Sequence, residues 1–136
     1  MKIGGVLETS LYVSDLARSI AFYRDCLKMP VMLETPRIAA LDAGRSTVLL
    51  LFPKGAAAQD VHDARGVIPG HDGAGRLHLA FAIEAGELDS WRARLETAGV
   101  VMRGEYAWPR GGTSLYFADP DGHVVELATP GIWPTY

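Results

Sequence analysis

The sequence predicts an α+β fold built from two tandem βαβββ modules, and three observations carry that prediction. The two halves of the 136-residue chain repeat one order of elements: strand, helix, strand, strand, strand. The strand segments alternate apolar and polar residues with period two, and the segments that follow the first strand of each half show helical spacing. The length suits one domain with a real core and is too short for two independent ones.

The first module is expected over about residues 6–53. A strand at 6–13 leads through Ser14-Asp15 into a helix carrying Leu16, Ile20, Tyr23 and Leu27 at helical spacing. Ser14 can cap that helix, and Asp15 suits its positive end. Strands follow at Val31 to Glu34, near Ile38 to Leu41, and at Thr47 to Phe52. The second module is expected over about 77–130, with a strand at 77–83 and a helix carrying Leu88, Trp91, Leu95 and Ala98, closed by Gly99. Its later strands read as Val100 to Trp108, Thr113 to Ala118 and Val124 to Thr129. Asp119-Pro120-Asp121-Gly122 turns between the last two, with Pro presetting φ and Gly free to take a positive φ. Residues 53–76, rich in Gly, Ala and Asp, read as a long connector whose length points to a functional edge or lid.

The parity of the strands isolates Glu8, His78 and Glu126. Leu7, Leu11 and Val13 share one face while Glu8, Ser10 and Tyr12 share the other. Leu79, Phe81 and Ile83 oppose His78, Ala80 and Ala82, and Val125 and Leu127 oppose Glu126 and Ala128. If the large residues pack on helices, all three polar groups project from the uncovered sheet faces into space left open by Ala and Ser. The repeat relates them. The offset that aligns Val13 with Ile83 carries Glu8 onto His78, and aligning Val48-Leu49-Leu50-Leu51 with Val124-Val125-Glu126-Leu127 sets Leu50 opposite Glu126. Four equivalent inward positions thus hold three ligand-type residues and one leucine. One imidazole and two carboxylates suit Mn, Fe, Ni, Co or Zn as a divalent ion, without choosing among them. The plainer reading of Glu8 alone is a solvated strand end. For His78 and Glu126 among apolar neighbours, burial without a partner costs several kcal/mol.

The motifs Leu11-Tyr12-Val13-Ser14-Asp15-Leu16 with Ser19-Ile20-Ala21-Phe22-Tyr23, His78-Leu79-Ala80-Phe81, and Tyr116-Phe117-Ala118-Asp119-Pro120-Asp121-Gly122-His123 leading to Glu126 resemble the vicinal oxygen chelate superfamily. That superfamily groups glyoxalase I, extradiol dioxygenases, fosfomycin-resistance transferases and bleomycin-resistance proteins. The resemblance implies that the two modules curl into an open, cup-shaped mixed β-barrel with helices on the outside, forming a single domain around the metal. It implies metal ligation by Glu8, His78 and Glu126 and a small-molecule substrate with vicinal oxygens. It also implies a homodimer. Leu50 stands where glyoxalase I supplies a further carboxylate, which weighs against plain lactoylglutathione lyase activity. The leading expectation is a metal-dependent enzyme of the glyoxalase and dioxygenase type, including thiol transferases. The alternative is a non-catalytic drug- or metabolite-binding protein like the bleomycin-resistance members.

Tyr116 shares the parity of Ser114, so its hydroxyl is expected in the cavity as a catalytic group that binds substrate or passes a proton. Tyr12, Arg37, Trp108 and Arg110 are expected as substrate-binding wall residues, Arg110 from the glycine turn Trp108-Pro109-Arg110-Gly111-Gly112. His71 in the connector is a weaker prospect for closing over the site, and His123 has the wrong parity to join Glu126. A net charge of −3 and the absence of a basic face argue against nucleic acid. No stretch approaches the ~18 apolar residues of a membrane span, and no signal peptide is visible, so a cytoplasmic protein is expected. The single cysteine, Cys26, fits a reducing compartment and reads as a packing residue.

Overall fold

Both halves fold as the repeat predicts, each around one four-stranded mixed sheet. The computed structural model describes residues 1–136 and divides into two units, Met1–Gly75 and Arg76–Tyr136. The division falls at the end of the predicted connector.

In the first unit, β1 (Glu8–Val13), β2 (Val31–Thr35), β3 (Ile38–Asp42) and β4 (Val48–Pro53) form a sheet in the order β1-β4-β3-β2. β1 runs parallel to β4, and the other two pairings are antiparallel. A parallel pair needs a crossover, which the helix and the β2-β3 hairpin provide. One face of the sheet buries Leu11, Val13, Ala39, Leu41, Leu49 and Leu51, and Ile20 and Tyr23 of the helical segment are buried as well. Each such leucine contributes about 1.5–3 kcal/mol by leaving water. The opposite face presents Glu8, Ser10, Tyr12, Leu50 and Phe52 to a cavity.

The helix departs from expectation in one way. α1 spans only Leu16–Ala21 and continues as a π-helical turn, Phe22–Cys26. Its cap is Asp15 rather than Ser14: Asp15 is extended, and its carboxylate accepts the Arg18 backbone N–H at 3.0 Å. Leu7 is also a correction. It was expected on the buried face with Leu11 and Val13, yet it is 69% exposed. The pairing of β1 with β4 begins only at Glu8 and Val48, so Leu7 precedes the sheet that would cover it.

The connector is not a plain loop. It holds a short hairpin of β5 (Val61–Asp63) and β6 (Gly66–Ile68). Its two ends are tied together: the His71 N–H donates to the Ala57 carbonyl at 2.8 Å, and the Gly70 N–H donates to Asp60 Oδ1 at 2.7 Å.

In the second unit, β7 (His78–Ala82), β8 (Met102–Ala107), β9 (Thr113–Ala118) and β10 (Val124–Ala128) repeat the pattern in the order β7-β10-β9-β8. Here too the first and last strands are parallel. A 3₁₀ turn, Ala85–Glu87, leads into α2 (Leu88–Thr97). Gly99, at φ +70, follows the Ala98 cap, and the Gly99 and Val100 N–H groups close onto the Glu96 and Leu95 carbonyls, as expected of a glycine stop. Leu95, Leu115, Phe117, Val125 and Leu127 form the core. No helix is long and apolar enough to cross a membrane.

Candidate metal centre

The second sheet brings His78 and Glu126 together. His78 opens β7 and pairs with Val124 on the parallel neighbour β10, two residues before Glu126. The His78 Nδ1 lies 3.0 Å from the Val124 carbonyl oxygen. A carbonyl only accepts, so Nδ1 carries the proton and donates it. Nε2 is thereby directed at Glu126, 3.2 Å from Oε2.

The Glu126 carboxylate is held from its other side. Oε1 accepts from the Ser114 hydroxyl and, at 3.2 Å, from the Tyr116 hydroxyl. Both residues lie on the antiparallel neighbour β9, where Tyr116 pairs directly with Glu126. The Trp108 indole N–H donates to Ser114 Oγ at 2.8 Å, which leaves the Ser114 proton for the carboxylate. The Glu126 side chain is only 7% exposed. Two hydroxyl donors offset part of the desolvation of a buried carboxylate and leave Oε2 turned toward the imidazole. Burial raises the Tyr116 phenol above its ordinary pKa; the Ser114 hydrogen bond opposes this, and the nearby Glu126 charge adds to it. Tyr116 therefore stays protonated and remains a donor.

This arrangement fits a divalent metal. With bonds of ~2.1 Å, two neighbouring ligand atoms lie about 3.0 Å apart at a right angle and about 3.4 Å apart at the tetrahedral angle. The 3.2 Å separation of Nε2 and Oε2 falls between these values. An imidazole whose Nδ1–H is held by a backbone carbonyl, beside a carboxylate fixed by hydroxyls, has the outer support that metal-binding histidines and carboxylates need.

The first unit differs. Glu8 is exposed and lines a cavity of about 910 Å³ whose wall also includes Tyr12, Arg37, Leu50, Phe52 and His71. Tyr12 and His71 share a hydrogen bond of 2.8 Å between the hydroxyl and Nδ1. The His71 ring stands edge-on to Phe52 at 4.8 Å. Gly73 lies so close to Tyr12 that a Cβ there would come within 2.5 Å of its ring. The connector thus covers part of the inner face of its own sheet. Arg37 donates to the Ala56 carbonyl at 2.8 Å, from the cavity edge.

Of the expected site residues, the structure joins His78, Glu126, Tyr116 and Trp108 in one hydrogen-bonded group and places Tyr12, Arg37 and Glu8 around the first unit's cavity. Within a unit, no three His, Cys, Asp or Glu side chains cluster closely enough to hold a metal. Arg110 is exposed and lines neither cavity. His123 is buried in a structural role: its Nδ1 accepts the Leu77 N–H at 3.0 Å. Sequence reasoning missed Ser114 as the residue that orients Glu126, although its parity with Tyr116 placed it on the same face. It also missed the hold of His71 on Tyr12, which depends on how the connector folds back.

A family model described as Glyoxalase/Bleomycin resistance protein/Dioxygenase superfamily matches residues 5–127. Metallothiol transferase FosB of Bacillus licheniformis is 29% identical over 97% of this chain and 79% of its own length. Glutathione transferase FosA of Serratia marcescens is 31% identical over 87% of this chain and 75% of its own length. Among solved structures, lactoylglutathione lyase from Agrobacterium tumefaciens matches with a TM-score of 0.88 and 31% identity, over 98% of this chain and 99% of that one.

Proposed function

Because the chain belongs to the Glyoxalase/Bleomycin resistance protein/Dioxygenase superfamily, we propose that it is a metal-dependent enzyme of the lyase or thiol-transferase type. Its relatives include metallothiol and glutathione transferases and a lactoylglutathione lyase. His78 and Glu126 hold a divalent ion, and Glu8, at the equivalent strand position of the first unit, is the ligand-type residue that its own half offers. The observation that carries this reading is the imidazole fixed by the Val124 carbonyl, with Nε2 and Glu126 Oε2 at ligand spacing.

A metal bound there supplies Lewis acidity to an oxygen of a substrate with vicinal oxygens. The residues of the chain do the rest. Tyr116 keeps its proton and donates to Glu126 or to a developing oxyanion in the cavity. Ser114 and Trp108 keep the carboxylate from rotating. Tyr12 and Arg37 line the first unit's own cavity. The protein acts on a small molecule, as a cytoplasmic homodimer.

Elemental analysis of purified protein and of His78→Ala tests the ligand set. About one divalent metal per chain, absent from the variant, supports it; no uptake of Mn²⁺, Fe²⁺, Ni²⁺, Co²⁺ or Zn²⁺ by the unaltered protein overturns it. Turnover of an epoxide only when glutathione or another thiol is added marks a transferase. Isomerisation of a thiol–oxoaldehyde adduct marks a lyase.

A further inference from the structure

Residues 130–136 lie beyond the stretch that the family model matches, 5–127, yet they are built into the cavity of the second unit. The Tyr136 hydroxyl reaches two carbonyls, Ile83 at 2.8 Å and Ala128 at 2.9 Å, where the parallel strands β7 and β10 end. The segment closes on itself: the Gly131 N–H donates to the Tyr136 carbonyl at 2.9 Å, and the Tyr136 N–H donates to the Trp133 carbonyl at 3.0 Å. It rests on the glycine turn that follows Trp108. A Cβ on Gly112 would come within 3.0 Å of the Ile132 backbone N, and a Cβ on Gly131, at φ +112, within 2.6 Å of the Gly112 N. At Gly131 only a glycine permits this approach, and at Gly112 a larger residue would crowd it. The turn that carries Arg110 is the seat of this segment.

The segment brings Trp133 and Tyr136 to the wall of a cavity of about 420 Å³ that contains His78 and Glu126. Trp108 and Tyr116 line it as well, beside the small residues Ala80, Ala82 and Ala128. The polar ends of two of these aromatics are already engaged: the Trp108 N–H by Ser114 and the Tyr136 hydroxyl by the strand-end carbonyls. These rings therefore offer mainly carbon to an occupant. No Lys or Arg lines the cavity, so a multiply charged anion such as a phosphonate meets no countercharge from its walls.

We infer that segment 130–136 is a specificity wall, with Trp133 as its determining residue, and that it selects substrates carrying a flat aromatic group next to their metal-binding oxygens. The inference rests on the reading of this cavity as the reaction site. Aromatic faces favour a flat ring over a saturated ring of equal size, because stacking adds to simple burial.

The test uses three 2-hydroxy acids that share the same vicinal oxygens: mandelate with a phenyl ring, hexahydromandelate with a cyclohexyl ring, and lactate with neither. Binding to zinc-supplemented protein is measured by calorimetry, with zinc content determined on the same samples. Mandelate is expected to bind tightest. Trp133→Ala, at a side chain on a residue 68% exposed and outside the core, weakens mandelate about fivefold and leaves lactate unchanged, while Trp133→Phe keeps most of the preference. Gly131→Ala, whose Cβ would come within 2.6 Å of the Gly112 N at a φ of +112, displaces the segment and reproduces the Trp133→Ala result. Equal affinity for the three acids, no binding of mandelate, or a Trp133→Ala loss shared equally by all three overturns the inference. Zinc bound without an aromatic preference defeats this inference alone. A preference that persists without zinc defeats the metal reading alone.

Discussion

The two units share one topology and one register, and they differ at the position where the chemistry sits. In the second unit, Glu126 on the central strand stands between Ala80 and Tyr116. In the first, Leu50 stands between Ser10 and Ala40. Both positions face a cavity. A carboxylate is tolerable at the second because the neighbouring strand offers two hydroxyls and the parallel strand an imidazole. The first unit has no such donors on its equivalent strand, and leucine avoids the cost of an underpaired buried charge. The comparison teaches that the repeat sets where a functional group can stand, while the neighbours of that position decide whether a charge survives there.

Copying the first unit into the second breaks the comparison most severely. Glu126→Leu is expected to abolish stoichiometric metal binding, read by elemental analysis, while the midpoint of urea unfolding stays the same or rises. Metal retained at one per chain would remove Glu126 from the ligand set. The next largest effect concerns the cores. Leu51 and Leu127 occupy equivalent buried positions, so Leu51→Ala and Leu127→Ala should each cost about 2–5 kcal/mol in denaturant unfolding. Clearly unequal costs would show that the units are matched in topology but not in packing. Ser114→Ala removes one donor from Glu126 and is expected to weaken metal binding about 10- to 100-fold in competition with a chelator. An unchanged affinity would mean that Tyr116 alone suffices to orient the carboxylate.

The smallest effect is a pH dependence. The Tyr116 pKa is raised in the folded state, so at high pH the unfolded chain loses that proton first. The associated stability is fully present below the ordinary tyrosine value of about 10 and is lost as pH rises through the higher folded value. Absorbance titration near 295 nm of the protein against Tyr116→Phe should show the lost hydroxyl among those ionising above the ordinary tyrosine value, and Glu126→Gln should bring it to lower pH. A Tyr116 that titrates at the ordinary tyrosine value would show that neither its burial nor the Glu126 charge acts on its hydroxyl.

Much of this was legible along the chain. Period-two parity put Glu8, His78, Tyr116 and Glu126 on the correct faces, because a strand's alternation is local and needs no partner to read. The strands Thr113–Ala118 and Val124–Ala128 were found almost to the residue, since the Asp119-Pro120-Asp121-Gly122 turn punctuates them. Leu7 was misread because its burial depends on where β4 begins, a fact that lies forty residues away. The sequence left the cap between Ser14 and Asp15 undecided, because both side chains can cap and only the backbone dihedrals distinguish which residue is still extended. The hairpin in the connector went unread because three-residue strands carry too little alternation to detect.

The order of residues by itself determined the two modules, the faces of their strands and the identity of the ligand-type side chains. These follow from periodicity and from an internal repeat. Only the tertiary structure decided that His78 turns Nε2 toward Glu126, that Ser114 and Tyr116 hold the opposite oxygen, and that residues 130–136 rest on a glycine turn beside the cavity. Hydrogen bonds depend on direction as well as distance. The directions here come from strands paired across long stretches of chain, and no local pattern encodes that pairing.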